Sequence, residues 1–108
     1  MLQDEFPHEI TFLEKTRIPD GGGGYETGWA EKLSFNGFLD TPTSQELFKA
    51  QQLNYTLDRS LYYPFREDVK EQMRCRYRNA TYEIVGKPED QGGQHEVMKV
   101  SLKLVANG

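Results

Sequence analysis

Apolar residues recur at alternate positions along most of this chain, and a period of two predicts strands. From His8 to Lys15, Ile10 and Phe12 fall on one face with Glu9, Thr11 and Leu13 on the other, the pattern of a half-buried strand. Tyr25 to Lys32, which carries the sole tryptophan Trp29, and Ser34 to Asp40, where Phe35 and Leu39 alternate with Ser34, Asn36 and Asp40, predict two more. Gly37 inside the latter predicts a bulge or bend of the kind that lets a small sheet curl. Gly21 to Gly24, preceded by Pro19-Asp20, have no side chains to pack and form a hairpin tip. A phosphate-cradling loop would need a Lys-Ser/Thr pair opening a helix, whereas Tyr25-Glu26-Thr27 leads into strand-like sequence.

The second half repeats the pattern. Tyr55, Leu57, Leu61 and Tyr63 hold strand spacing until Pro64, which has no amide to offer a ladder. Arg66 to Gln72 is a polar connector with room for one helical turn. Met73 to Lys87 predicts a hairpin turning at Asn79-Ala80, with Tyr77 opposite Tyr82 and Cys75 opposite Ile84 on one face, and Arg76 opposite Glu83 and Arg78 opposite Thr81 on the other. Gly92-Gly93 turn the chain into a last strand, where Met98, Val100, Leu102 and Leu104 alternate with Lys99, Ser101 and Lys103. The sum, about five to seven short strands with glycine turns, is a mainly β chain folded as a small barrel or sandwich. A closed or partly open barrel with one short helix in a long internal loop is the expected form.

That helix is the stretch Gln45 to Leu53, where strand spacing fails. Thr43 followed by Glu46 is a capping-box pattern, in which hydroxyl and carboxylate satisfy orphan amides of a first turn. Leu47, Phe48, Ala50 and Leu53 nevertheless spread over more than half the helix circumference. A helix shorter than about 12 residues is marginal alone in water, so something else must hold it. The connection from Asp40 to Leu57 also exceeds an ordinary link between neighbouring strands, and long inserts in compact domains are disproportionately functional. Its surface is polar with little net charge: Gln45, Lys49, Gln51, Gln52, Asn54, Thr56 and Asp58. The plain alternative is a short helix capping one open end of the barrel.

Composition narrows the function classes. At 108 residues the chain is expected to be one domain, 1–108, with the insert at about 40–57. Its 36% hydrophobic and 28% charged content is that of a soluble globular protein, and no apolar run could span a membrane. Met1 to Pro7 lacks the basic and apolar parts of a secretory signal, which predicts synthesis in a cytoplasm and leaves Asn54-Tyr55-Thr56 and Asn79-Ala80-Thr81 as accidental glycosylation patterns. The net charge of −4 argues against autonomous nucleic-acid binding.

Candidate chemistry is sparse. The lone Cys75 alternates with Met73 and Tyr77, so it reads as a buried structural thiol rather than a nucleophile. His8 and His95 are the only histidines, and Asp90, His95 and Glu96 match no zinc or calcium loop, so a solvated turn is expected there, with no metal, cofactor or enzyme activity. Arg74, Arg76 and Arg78 on one strand face suit cross-strand pairing on a solvated sheet, an acidic protein surface, or DNA. Tyr62, Tyr63 and Phe65 either fill the core or serve an interface.

The run KAQQL, preceded by SQE and followed by the aromatic stretch ending Tyr62-Tyr63-Pro64-Phe65, resembles the head-closure proteins of long-tailed bacteriophages, also called head-completion or stopper proteins. The resemblance extends to Glu9-Ile10-Thr11-Phe12, to Trp29, to Met73 through Arg78 and to Tyr82 through Gly86, in the right order. Gly21 to Gly24 match nothing in that family. The resemblance implies a virion protein at the head–tail interface: a small β-barrel, monomeric when free, that forms a ring below the adaptor ring of a filled capsid. It further implies partnership with the adaptor protein and with a tail or tail-terminator protein, and passage of double-stranded DNA without sequence specificity.

Its long internal loop would project into the channel and retain packaged DNA. In this chain that loop is Asp40 to Leu57, with Asp40, Thr41, Thr43, Ser44, Gln45, Glu46, Lys49, Gln51, Gln52, Asn54 and Thr56 as channel candidates. Lacking its neighbours, the loop of an isolated monomer is expected to be mobile. Two other readings are a nucleic-acid-binding barrel of the OB type using Tyr62, Tyr63 and Arg74 to Arg78, and a tail-terminator or neck protein with no gating role.

Overall fold

A computed structural model describes residues 6–54 and 56–105, so the strand position expected for Tyr55, the glycosylation pattern through it and the first five residues lie outside the described residues. Among the described residues, alternating burial produces six strands: β1 (His8–Pro19), β2 (Tyr25–Asp40), β3 (Arg59–Pro64), β4 (Arg74–Tyr77), β5 (Ala80–Asp90) and β6 (Val97–Leu104). An α-helix, α1 (Ser44–Gln52), joins β2 to β3, and a 3-10 turn, Gln91–Gly93, sits between β5 and β6. The strands run in the order β1-β2-β3-β6-β5-β4, every neighbouring pair antiparallel, and close into a barrel where Phe12 of β1 pairs with Cys75 of β4.

The core is the inward half of each alternation. Ile10, Phe12, Leu61, Tyr63, Cys75, Val100 and Leu102 are at most 1% exposed. Three rings set its centre: Phe12 stacks on Phe35 at 5.3 Å, and Tyr63 meets Phe12 at 6.4 Å and Phe35 at 5.5 Å. Cys75 lies wholly inside, where burial pushes its thiol up to about 12 and removes the thiolate that reactivity requires.

The β2 segment, expected as two strands, is one continuous strand of 16 residues. Its irregularity is not at Gly37: the register slips where Phe12 pairs with Leu33 and Leu13 with Glu31, leaving Lys32 as the extra residue of a bulge. Gly37 serves close approach instead, since a Cβ there would lie 2.9 Å from the Tyr62 carbonyl oxygen and from Leu61 Cδ1. The β4–β5 hairpin keeps the expected faces but turns at Arg78-Asn79, so Cys75 pairs with Tyr82, Arg74 with Glu83 and Arg76 with Thr81. Arg78 itself takes the left-handed backbone, with φ of 54°. The connector Arg66 to Gln72 is irregular and forms no helical turn.

One part of the sheet leaves the barrel. β4 covers only Thr11 to Leu13 of β1, and β3 covers only Phe38 to Asp40 of β2, while β1 and β2 pair with each other out to Pro19 and Tyr25. Beyond the bulge they form a two-stranded ribbon whose β1 residues, Glu14 to Pro19, are all exposed. At its tip the Asp20 carboxylate accepts the amides of Gly22 at 2.8 Å and Gly24 at 3.1 Å, which defines the glycine turn.

Candidate functional site

The capping box at the start of α1 forms as the sequence predicts. The Thr43 hydroxyl accepts the Glu46 amide at 3.2 Å, and the Glu46 carboxylate accepts the Thr43 amide at 2.9 Å. Upstream, the Asp40 carboxylate accepts the Thr41 amide at 2.8 Å and the Thr41 hydroxyl accepts from Arg59 at 3.1 Å, tying both ends of the insert to the barrel rim. Asn54 closes the far end with φ of 60°, its amide bonded to the Gln51 carbonyl at 3.1 Å. Ser44, Gln45, Lys49, Gln51, Gln52 and Thr56 are exposed.

What holds this short helix is a residue that sequence reasoning missed. The second oxygen of the Glu46 carboxylate pairs with the Lys99 ammonium of β6, and both side chains are mostly covered, at 23% and 18% exposure. Lys99 also sits 5.6 Å from the Tyr62 ring, which in turn stacks on Phe38. Glu46 therefore meets the outward-facing side of β6, beside Tyr62 of β3. Of the helix residues only Ala50 is buried, while Leu47, Phe48 and, just beyond, Leu53 remain 42%, 59% and 61% exposed. An open cleft of about 560 Å³ lies between the helix and β5–β6, lined by Glu46, Lys49, Leu53, Val85, Gly86 and Lys99 among others. Among the described residues the helix is thus seated by the Glu46–Lys99 ion pair and the burial of Ala50.

Charge follows from this geometry. Partial burial alone would raise the Glu46 carboxyl, but the Lys99 and Thr43 hydrogen bonds outweigh it and hold the group below its ordinary 4.5. Burial would likewise lower Lys99, and its bond to Glu46 holds it above its ordinary 10.5. A depressed carboxyl stabilises the docked state above 4.5 and loses that contribution as pH falls through its lowered value; a raised ammonium stabilises below 10.5 and loses it as pH climbs. The seat is therefore firm at neutral pH and loosens on acidification. Lys99→Met should speed protease cleavage between Thr43 and Asn54 by on the order of tenfold at pH 7, and Glu46→Gln, which keeps a capping-box residue, should do nearly the same. Cleavage of the Glu46→Gln variant should be insensitive to mild acid, whereas that of the wild type should rise below pH 4.5.

The other candidates divide between core and opposite walls. Tyr63 is fully buried and fills the core; Tyr62 is half-covered beside the helix; Phe65 packs at 4.5 Å on His95, whose imidazole lies 3.4 Å from the Asp90 carboxylate in the exposed β5–β6 turn. Arg74, Arg76 and Arg78 lie on and just after β4, which is opposite β3 in the closed ring of strands. Their partners differ from the cross-strand pairs expected: Arg74 lies 4.3 Å over Trp29, Arg76 pairs with Glu31, and Arg78 lies 5.2 Å from Tyr77. Tyr62, Tyr63 and the arginines therefore form no common stacking-and-phosphate surface.

A sequence profile of the phage head completion protein family matches residues 1–104. The chain belongs to this family. Head completion protein gp16 of Bacillus phage SPP1 is 28% identical over 102 residues, covering 94% of each chain. The solution structure of protein SF1141 from Shigella flexneri 2a superposes with a TM-score of 0.79 over the full length of both chains at 14% identity, which supports the fold alone. Membership makes this head completion protein a structural component of the virion that works with other phage head and tail proteins. Among the described residues no helix is long and apolar enough to cross a membrane.

Proposed function

We propose that several copies of this head completion protein, each a single domain, form a ring below the adaptor, join the capsid to the tail and close the DNA channel with the segment from Asp40 to Leu57. The observation that carries this reading is that the barrel does not require the insert. Asp40 and Ser60 are already paired, so β2 and β3 need no long connection, yet the chain keeps a capped helix there with its apolar side chains outward. Such a helix has an unfulfilled contact. One polar loop is a weak obstacle, but copies related by rotation concentrate the same loops at one axis, where symmetry and multivalency add up.

Closure in this account requires the helix to leave its seat on β6, so contacts with neighbouring copies must replace the Glu46–Lys99 pair. Adding the purified protein to DNA-filled capsids that carry portal and adaptor should give multiple attached copies per connector and retained genome. Attachment without retention would leave a joiner that does not gate.

A further inference from the structure

The β1–β2 ribbon beyond the barrel has faces of opposite character. Strand alternation and the pairings Lys15–Trp29, Arg17–Thr27 and Pro19–Tyr25 put Lys15, Arg17, Tyr25 and Trp29 on one face, with Arg17 lying 5.2 Å from the Tyr25 ring and Arg74 covering Trp29. The pairings Glu14–Ala30, Thr16–Gly28 and Ile18–Glu26 put Glu14, Glu26 and Ile18 on the other. There Ile18 lies across Gly28, where a Cβ would come within 2.2 Å of it, so the acidic face is flat with an apolar patch at its centre. Ile18 is 47% exposed and Tyr25 62% exposed. The ion pair on the acidic face, Glu14 with Lys32 at 3.6 Å, joins two exposed side chains, and exposed pairs are weak.

An isolated two-stranded ribbon is marginal in water. From these two faces we infer that the ribbon docks on the ribbon of an adjacent copy, cationic-aromatic face to acidic face. Ile18 then seats on the exposed Tyr25 ring, while Glu14 and Glu26 meet Lys15 and Arg17. The two faces are back to back, so the contact is heterologous: each copy offers one face forward and one behind, which is the arrangement a closed ring requires. The inference rests on the proposed ring and names its subunit contact.

Charge reversal tests it on the same capsids. Lys15→Glu with Arg17→Glu makes both faces acidic, and Glu14→Lys with Glu26→Lys makes both basic. Each double variant alone should occupy the connector at least tenfold less well than wild type, and an equimolar mixture should restore occupancy, because the two can alternate. Rescue on mixing also shows that both variants are folded, and Ile18→Asp supplies a version that leaves the cationic face intact and should also lose occupancy. Failure of the mixture to restore attachment overturns the contact. Loss confined to the Lys15/Arg17 variant, with Glu14/Glu26 reversal neutral or favourable, would overturn it too, because the cations would then face an acidic partner or DNA phosphate. Full occupancy by every variant removes the ribbon contact while leaving the ring standing; a single wild-type copy per connector removes the ring itself.

Discussion

Replacing Thr43–Asn54 by two glycines should yield capsids that still bind this protein but lose their DNA. The barrel should tolerate the change: Asp40 already pairs with Ser60, and Ala50 is the only helix residue buried. Leu57, which is buried, and Asp58, whose carboxylate accepts the Leu104 amide at 2.7 Å, are retained by this design. The thermal midpoint should therefore move by only a few degrees, roughly the effect of 1 kcal/mol in a domain of this size. Attachment, which the account assigns to the barrel and ribbon, should stay near wild type. Genome retention should fall by an order of magnitude or more, to the level of capsids carrying portal and adaptor alone. Retention at the wild-type level would exclude the helix as the obstruction.

Phe12→Ala should be the most damaging single substitution for stability, at about 3–5 kcal/mol. Phe12 is 0% exposed, stacks on Phe35 and meets Tyr63, and its backbone forms the pair with Cys75 that closes the barrel. Removing the ring opens a cavity walled by two other rings too large to collapse inward. Against a total of about 5–15 kcal/mol for a domain, the loss would leave much of the protein unfolded at moderate temperature. Urea unfolding followed by Trp29 fluorescence measures it directly. A loss under about 1 kcal/mol, far below the usual cost of such a truncation, would mean that the core is not organised around this trio.

The strands were legible because the barrel buries one face of each, and a period of two records which face. Cys75, Tyr82, Met98, Val100 and Leu102 all lie inside as alternation requires. The register between β4 and β5 was less legible. Asn79 is the usual residue for a left-handed turn position, yet Arg78 adopts it, sliding the pairing by two residues without exchanging the faces. The bulge at Lys32 left no mark, since the slip arises from pairing with β1 and not from a glycine in β2.

Of the candidate site, the helix start was readable from Thr43 and Glu46 because capping is local. Its seat was not. Lys99 is distant from Glu46 in sequence, and alternation says only that Lys99 points outward, not what lies over it. The ribbon was half legible: Gly21 to Gly24 marked its tip, but nothing in the sequence says where the barrel ends and β1–β2 continue alone.

The central claim is that the insert becomes an obstruction only when copies converge on one axis. Gln51→Cys tests it, because Gln51 is exposed on α1 while the native Cys75 is buried and its thiol suppressed. Under mild oxidation the free protein should stay uncrosslinked, and the same protein on DNA-filled capsids should form disulfide-linked dimers and higher species. If the introduced thiol on attached, genome-retaining capsids stays uncrosslinked and fully open to alkylation, the loops do not meet and the channel is closed by something else.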